Sequence, residues 1–300
     1  MKHSRIAVVG SLNMDLVVSM RKMPRIGETV HGDALHTIPG GKGANQAVGC
    51  AKLGAHVSMI GAVGQDAFGD VLLAQLEQHG IHTEAVVRME GTTGTATIMH
   101  TPEDNCIVVV PGANGRVTPE LVTRHAALIQ EADVLLVQLE IPLEAVQAAL
   151  QIARSAGVPA VLNPAPAVKL PQALLQLADF ITPNETEFEL LSGAAYASED
   201  ELQAGMQRWE EAGPKLLVTR GGKGISLLQD GRLHTVAAPS VQVVDTTGAG
   251  DAFNAAFCVA WAGGLAVSDA AQFAVRAASL SVTRFGAQAG MPTLEELNDL

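Results

Sequence analysis

Aromatic residues are scarce in this chain, in which seven Phe, two Trp and one Tyr make up 3% of the 300 residues. Cysteine is scarcer still, because only Cys50, Cys106 and Cys258 are present, far apart and without a CxxC pair. An odd, scattered set of this kind argues for reduced thiols rather than disulfides. We therefore expect mostly buried cysteines in a cytoplasmic protein.

The sequence also lacks basic clusters and long apolar runs. Its net charge is −12, and no group of Lys and Arg would track a phosphate backbone, which argues against nucleic acid as a partner. No uninterrupted apolar run reaches membrane-spanning length, so we expect no membrane partner. The N-terminal stretch MKHSRIAVVGSL has only a short apolar run before Asn13 and Asp15. It predicts a first strand rather than a signal peptide.

Short apolar runs recur along the chain and are separated by stretches with helical spacing. The composition, 48% hydrophobic and 17% charged, is that of a globular protein, and 300 residues could form one α/β domain or two. Residues 66–80, 118–132 and 142–156 have the helical spacing, and Thr118 followed by Pro119 is typical of a helix start. Continuous apolar strands that alternate with helices predict a three-layer α/β/α fold with a mostly parallel central sheet. We expect one such domain over residues 1–300.

Two segments interrupt that alternation with extended pieces in which polar residues are interleaved. They are residues 16–38 and residues 92–110, the second with strand-like runs at 92–100 and 105–110 around TPEDN, a predicted hairpin. We expect them to form a small β-sheet lid inserted in the α/β body. An antiparallel edge on the main sheet is the alternative. Exposed lid edges would need covering, which favours a homodimer formed through the lid sheets.

The common nucleotide and hydrolase motifs are missing. GxxxxGK[ST] and GxGxxG do not occur, which argues against P-loop and dinucleotide-binding chemistry, and HExxH and GxSxG are absent too. In open α/β sheets, ligands bind beyond the carboxyl ends of the strands. Polar residues gather at the predicted strand ends: Asn13 and Asp15, Glu140, Asn163, Asn184, 219–222 and 245–251.

The stretch DTTGAGDAF, residues 245–253, follows a predicted strand, VQVV, and opens a predicted helix. Gly248 and Gly250 would lie in the helix's first turn, where unpaired backbone N–H groups and the helix dipole attract an anion. Asp251 could simply complement the dipole of an ordinary helix start. Two glycines just before the acid favour instead a phosphate cradle with a carboxylate that takes a proton from an attacking hydroxyl. We expect the pKa of Asp251 to be unperturbed, at about 3.9.

The pairing of GGKGANQA (40–47) with DTTGAGDAF resembles the ribokinase family of carbohydrate kinases. The likeness extends, in the family's order, through GSLNMD (10–15), GAVGQDAFG (61–69), QLEIP (138–142), NPAP (163–166), TPNETE (182–187), TRGGKG (219–224) and VTRFGAQ (282–288). Nine motifs in order over 300 residues are very specific. The resemblance implies an ATP-dependent sugar kinase that uses Mg²⁺ and K⁺ and forms a homodimer.

The resemblance also implies residue roles. Asp251 would be the catalytic base, with Gly248, Ala249 and Gly250 as an anion hole. The sugar-binding positions would be Asn13, Asp15, Gly41, Lys42, Gly43, Asn45, Glu140 and Asp251. The ATP-binding positions would be Asn184, Thr219, Arg220, Gly221, Gly222, Lys223, Gly224, Gly250 and Asp251. A plain strand-to-helix turn at 40–41 would not require Lys42 and Asn45 as well.

Two further sets concern metal ions. Glu187 would help to order Mg²⁺ and its waters, although Asn184 and Glu187 also have the spacing of a helix N-cap and its N3 partner, and both interpretations can hold. The K⁺ ligands would be Asp245, Thr247, Ser281, Arg284, Gly286 and Gly290, several of them through backbone carbonyls. Gly290 stands where members of the family can have serine.

The carboxylate of Asp15 and the amide of Asn13 suit a vicinal pair of hydroxyls, which indicates D-ribose phosphorylated at O5. 2-Deoxyribose, another sugar or a nucleoside is the alternative substrate. Two other classes remain: a non-catalytic sugar or nucleotide sensor, which would be expected to lose Asp251 or Glu187, and a nucleoside glycosidase or lyase, for which an anion hole is not needed.

Overall fold

The computed structural model describes residues 4–101, 103–211 and 213–299. In this part of the chain the strands are β1 (Arg5–Val9), β2 (Asn13–Ser19), β3 (Ala34–Gly40), β4 (His56–Gly64), β5 (His82–Met89), β6 (Gly94–His100), β7 (Asn105–Val110), β8 (Val134–Val137), β9 (Ala160–Leu162), β10 (Phe180–Ile181), β11 (Lys215–Leu216), β12 (Val218–Thr219), β13 (Ile225–Gln229) and β14 (Arg232–Val236). The helices are α1 (Lys42–Lys52), α2 (Ala67–Gln78), α3 (Pro119–Arg124), α4 (Ala126–Gln130), α5 (Leu143–Ala156), α6 (Gln172–Leu175), α7 (Glu185–Ser192), α8 (Glu199–Glu210), α9 (Ala249–Ala262), α10 (Val267–Ser281), α11 (Ala287–Gly290) and α12 (Leu294–Asn298).

A central sheet of seven strands, in the order β11-β10-β9-β8-β1-β4-β5, has parallel pairing throughout. In β1, Ile6 and Val8 pack on one face with α1, α9 and α10. The alternate residues Ala7 and Val9 pack on the other face with α3 and α5. Both faces of the sheet are therefore buried, which is why the sequences of its strands are continuous apolar runs. The predicted three-layer α/β/α fold with a mostly parallel sheet is confirmed.

The predicted helices are found with one difference. Helices α2 and α5 match the stretches 66–80 and 142–156, whereas the stretch 118–132 is divided into α3 and α4 at His125. The start of α3 is as predicted, since the Thr118 side chain accepts a hydrogen bond from the backbone N–H of Leu121 and Pro119 is the first helical residue. No helix in the described ranges combines the length and apolarity needed to cross a bilayer.

The strands of the two interrupting segments form a sheet of their own, in the order β3-β2-β6-β7. β2 pairs antiparallel with β3 and parallel with β6, and β6 and β7 form the predicted hairpin. Pro102, in the predicted TPEDN stretch, lies outside the described residues. A separate small sheet is thus confirmed, and the alternative of an edge on the main sheet is wrong. Since β2 follows β1 after three residues, the small sheet starts where the central sheet ends.

One predicted strand is absent. Residues 241–244, VQVV, are not in a strand, and Val243 and Val244 are each 58% exposed. The backbone N–H groups of Val244 and Asp245 donate to the carbonyl of Val282, in the turn after α10 (2.8 and 3.2 Å), instead of to a sheet. The prediction was wrong because β-branched residues favour a strand only when a neighbouring strand completes the pairing. A three-stranded antiparallel sheet, β12-β13-β14, precedes this loop.

Candidate active site

The candidate site is assembled where the parallel strands end. Ser11, Glu140 and Asn163 follow β1, β8 and β9, whose carboxyl ends meet at one edge of the central sheet. Helix α9 begins at the same edge, because its Asn254 accepts a hydrogen bond from Thr182, the residue after β10 (2.6 Å). The predicted gathering of polar residues at the strand ends is therefore found in the structure.

Asp251 lies in the first turn of α9 and is only 6% exposed. Gly248 is the residue before the helix and has a left-handed backbone, with φ 78°. A Cβ atom added there would lie 2.7 Å from the Cβ of Ala287, so glycine is required by both its conformation and its neighbour. The start of α9 thus packs against the first residue of α11, and Gly250 in its first turn is exposed.

Those N–H groups are the candidate anion hole. Among the described residues none accepts a hydrogen bond from the backbone N–H of Gly248 or Gly250. The N–H of Ala249 differs, because it donates to the carbonyl of Thr246 (3.2 Å). Unpaired donors at a helix N-terminus are suited to hold an anion. Two of the three predicted donors are therefore available to a phosphoryl group, and the third already closes the turn.

The carboxylate of Asp251 is held by two side-chain amides of α1. Asn45 Nδ2 donates to Oδ2 (3.0 Å), and Gln46 Nε2 donates to Oδ1 (2.9 Å). Asn45 was predicted at the site, whereas Gln46 was missed, although it stands next to Asn45 in the same motif. Four-residue spacing places Gln46 on the same helical face as Lys42, and that spacing was the available signal.

Charged groups surround Asp251 and change its pKa. Burial raises the pKa of Asp251, and the Lys42 ammonium and the two amides oppose that rise. Burial raises the pKa of Asp15 to about 7, with Glu140 and Asp251 adding to the rise and Lys42 opposing it. Burial lowers the pKa of Lys42, but Asp251, Glu140, Glu187 and Asp15 outweigh it and raise that pKa overall. The expected unperturbed pKa of Asp251 is therefore wrong, because the sequence did not show that this carboxyl is buried.

The predicted sugar-facing residues lie on β2 and around the start of α1. Asn13 and Asp15 project from the same face of β2, as expected for residues two apart. Asn13 Oδ1 accepts from Asn114 Nδ2 (2.8 Å), which fixes the orientation of the Asn13 amide. In the described part of the chain no group donates a hydrogen bond to the Asp15 carboxylate. Asn114 was not predicted, and no motif pointed to it.

Glu140 connects the sheet to the start of α1. Its Oε2 accepts from the Ser11 hydroxyl (2.5 Å) and from the backbone N–H of Lys42 (3.0 Å), while the N–H of Gly43 donates to the Ser11 hydroxyl (3.3 Å). Gly41 is the residue before the helix. Glu140 therefore stabilises the turn that positions Lys42, Gly43 and Asn45. This role is additional to its predicted contact with a sugar.

A cavity of about 490 Å³ lies beside the start of α9. The predicted ATP positions Thr219, Gly221, Gly222 and Gly224 form one wall, and Ala249 and Gly250 form another. Apolar side chains complete the lining, including Val241 and Val243 of the loop that was predicted to be a strand, and Val275 and Val282. The cavity thus combines an apolar lining with the start of α9.

The loop 219–224 contains two basic residues, Arg220 and Lys223, whose side chains make different contacts. Arg220, 7% exposed at its side chain, forms ion pairs with Glu185 (3.0 Å) and Glu199 (2.7 Å). Lys223 is exposed and lies 4.0 Å from Glu185. Arg220 therefore holds the loop against α7 and α8 through its side chain, and any contribution of Arg220 to nucleotide binding would come from its backbone.

Asn184 and Glu187 form the capping box that their spacing indicated. Asn184 Oδ1 accepts from the Glu187 N–H, and Glu187 Oε2 accepts from the Asn184 N–H, both at 2.8 Å. Burial raises the pKa of Glu187, with the Asn184 N–H and Lys42 opposing it. Among the described residues no group of three or more His, Cys, Asp or Glu side chains could hold a metal. One carboxylate that interacts with Lys42 would fit an Mg²⁺ ion that is held mainly by nucleotide phosphates and waters.

The predicted K⁺ residues come together on two adjoining loops. Asp245 accepts from the N–H of Thr247 (2.9 Å) with one oxygen and from the N–H of Gly286 (2.8 Å) with the other. A Cβ atom on Gly290 would lie 2.6 Å from the Ser281 carbonyl oxygen, which shows how closely the second loop folds on itself. Arg284 pairs with Glu296 through its side chain (2.6 Å), so its carbonyl is the group left for an ion. Carbonyls and a carboxylate fit a monovalent cation.

Comparisons with known proteins agree with this geometry. The pfkB family carbohydrate kinase profile matches residues 3–294. A ribokinase of Bacillus subtilis is 44% identical over 296 residues, covering 98% of this chain and 98% of the relative. A deoxyribokinase of Salmonella typhi is 38% identical over 299 residues, covering 98% and 97% of the two chains. The structure of Arabidopsis thaliana ribokinase complexed with ribose and ATP has a TM-score of 0.93 at 34% identity, covering 99% of this chain and 98% of that one.

Proposed function

The chain belongs to the pfkB family of carbohydrate kinases, and we propose that it transfers the γ-phosphoryl group of ATP to O5 of D-ribose. The observation that carries the proposal is the position of Asp251. Its carboxylate interacts electrostatically with that of Asp15, in the predicted sugar-binding set, and the residue before it, Gly250, lines the cavity. A hydroxyl on one side and a phosphate on the other would both reach the start of α9. ADP release that depends on added ribose tests this function, and ATP consumption without any sugar dependence would contradict it.

The chemistry follows from what each group can do. Asp251 takes the proton of the attacking hydroxyl, and burial makes its carboxylate a stronger base than an exposed one. The N–H groups of Gly248 and Gly250 stabilise the negative charge on the transferring phosphoryl group. Lys42, whose acidic neighbours hold it in the charged form, adds a positive charge beside Asp251. Asn13 and Asp15 orient the sugar from β2.

The nucleotide and its ion would lie on the far side of Asp251. The loop 219–224 and the apolar side chains of the cavity would line the adenine and ribose, and Asn184 would contact the phosphates. Mg²⁺, when bound with ATP, neutralises charge on the phosphates, and Glu187 would hold it through water. The capping box does not compete with this role, because a helix start that binds its own cap also faces an anion.

The two other classes of function are less well supported. A non-catalytic sensor would not need Asp251 buried between two amides, and a glycosidase or lyase would not need two unpaired N–H donors beside it. Free Cys50, Cys106 and Cys258, together with ATP as co-substrate, support the proposal of a reducing cytoplasmic location.

We propose that K⁺ occupies the site formed by the loops 245–247 and 281–290. Gly248 packs against Ala287 of the second loop, so an ion that tightens these loops would fix the anion hole without touching substrate. The expected result is a severalfold higher kcat in potassium buffer than in Tris buffer without potassium. Steady-state rates at matched ionic strength measure it, and equal rates in the two buffers would rule out the dependence.

We also propose that residues 1–300 form one kinase domain into which residues 16–38 and 92–110 are inserted as a lid. The lid's edge strand β7 exposes Val108 and Val110, 53% and 50% exposed, which favours pairing of two lids in a homodimer. Hydrogen exchange followed by mass spectrometry tests both points. We expect slower exchange in β7 as protein concentration rises, and slower exchange over 16–38 when ribose is added. Exchange that changes neither with protein concentration nor with added ribose would contradict both the lid and the dimer.

A further inference from the structure

Helix α1 carries a buried amide for which the roles above do not account. Gln46 is completely buried and lies at the centre of a network of polar side chains. Its Nε2 donates to Asp251 Oδ1 (2.9 Å) and to Asn163 Oδ1 (3.1 Å), and its Oε1 accepts from Gln138 Nε2 (2.5 Å). A buried polar group is costly unless it is hydrogen-bonded, and this one uses both ends of its amide.

The direction of the network is determined by groups that can act in only one way. Asn163 Nδ2 donates to the carbonyl of Thr182 (3.2 Å), so the other end of Asn163 must accept. The carboxylate of Asp251 accepts as well when it is ionised. Both therefore require the NH₂ end of Gln46, which leaves its oxygen for Gln138.

The same network reaches the anion hole by a second branch. The Thr182 hydroxyl donates to Asn254 Oδ1 (2.6 Å), and Asn254 Nδ2 donates to the carbonyl of Gly250 (2.8 Å). The carboxylate of Asp251 and the backbone of Gly250 are thus held from one set of strand ends. Helix α1 is itself fixed on α9, where the Cys50 thiol contacts the Ala255 carbonyl (3.7 Å).

The two amides on Asp251 are not equivalent. Asn45 holds Oδ2, is 5% exposed, and also accepts from Gln288 Nε2 (3.2 Å). A bound sugar would compete for Asn45, which is one of the residues expected to contact it. Gln46 holds Oδ1 from the interior and is shielded from the cleft. Its bond to Asp251 can persist while substrate binds.

We propose that Gln46 is a positioning residue that fixes the Asp251 carboxylate through Oδ1 and so leaves Oδ2 to take the proton from the sugar hydroxyl. The inference rests on the proposed kinase function. In the step it serves, the hydroxyl proton moves to Oδ2, the hydroxyl oxygen forms a bond to the γ-phosphorus, and the bond from that phosphorus to the β–γ bridging oxygen breaks to release ADP. Gln46 forms and breaks no covalent bond.

The pH dependence of kcat/KM distinguishes a positioning role of Gln46 from a role in packing alone. The charged groups that face Asp251 are Lys42 from α1, Glu140 after β8 and Asp15 from β2. The variant Gln46→Met leaves these in place and removes one donor that favours the ionised carboxylate. The pKa of Asp251 should therefore rise, and the acidic limb of the kcat/KM profile should move to higher pH by about one unit, the size of a lost hydrogen bond to a charged group.

Gln138→Met is the matched control, because it makes the same substitution one hydrogen bond further from Asp251. It should lower the thermal unfolding temperature but leave the acidic limb where wild type has it. Wild-type activity with ribose is measured first in every buffer, so a failure of the proposed function would be visible before any variant is compared. Identical acidic limbs for Gln46→Met, Gln138→Met and wild type would overturn the positioning role.

Gln46→Glu keeps the inference testable if the methionine variant does not fold. The introduced carboxyl can donate to Oδ1 while protonated, as the amide does, and repels Asp251 once both groups ionise. We expect kcat/KM to fall as pH rises through that second ionisation, giving an alkaline decline that wild type lacks over the same range. A profile that matches wild type would contradict the proposal.

Discussion

Asp251→Asn should lower kcat by at least about a hundredfold, the lower end for losing general-base catalysis. Asparagine keeps the size of the side chain and one acceptor oxygen for the amides of Asn45 and Gln46, but it cannot take a proton at neutral pH. The KM values for ATP and ribose should change only a fewfold, because the cavity and the face of β2 are untouched. Steady-state kinetics with ribose and ATP measure both parameters.

Asp269→Asn is the control, because Asp269 is also an acid in the first turn of a helix, α10, and is exposed. It tests the simpler interpretation of Asp251 as a charge that complements a helix dipole. Loss of that interaction costs only about 0.3–1 kcal/mol of stability at an exposed site. We expect the control to keep wild-type kinetics. A kcat for Asp251→Asn within a fewfold of wild type would remove Asp251 from the chemistry.

The choice of sugar gives the second large effect: kcat/KM for ribose should exceed that for 2-deoxyribose at least about tenfold. The Asp15 carboxylate receives no hydrogen bond from the described protein residues, so the hydroxyls of the sugar are its available donors. 2-Deoxyribose lacks O2 and would leave part of that carboxylate unpaired in a closed site, at a cost of about 1–3 kcal/mol. Because a deoxyribokinase is 38% identical to this chain, 2-deoxyribose is the main alternative substrate.

Rates of ADP release with ribose, 2-deoxyribose, fructose and adenosine, compared side by side, decide this point. Asp15→Asn provides the matched variant, because it removes the charge and retains one acceptor oxygen. This variant should reduce the difference in kcat/KM between ribose and 2-deoxyribose, because it lowers kcat/KM for ribose. Equal or better rates of wild type on 2-deoxyribose would overturn both the substrate and the role of Asp15.

The sequence predicted the parts of this structure that depend on local pattern. The parallel sheet followed from continuous apolar strands, because both faces of β1 are buried. The start of α9 followed from two glycines and an acid, and the capping box from the spacing of Asn184 and Glu187. The loop VQVV was mispredicted because nothing in four residues shows whether a partner strand is present.

What could not be predicted depends on contacts between distant residues. Gln46 meets Asp251 across a separation of 205 residues, and Asn114 meets Asn13 across 101. Side-chain amides of this kind have no motif of their own, so their role appears only when the strand ends are placed together. Burial of Asp251 has the same origin. Its raised pKa comes from the packing of α1 and α9 and not from its neighbours in the chain.

The most direct test of the central claim is to identify the product. Enzyme, Mg²⁺, K⁺, ATP and ribose are incubated, and the sugar phosphate and ADP are quantified together, with the phosphorylated carbon assigned by NMR. The account predicts one ribose 5-phosphate for each ADP, with the phosphorus coupled to carbon 5 of the sugar. ADP without sugar phosphate, or a phosphate on any other carbon, would contradict it.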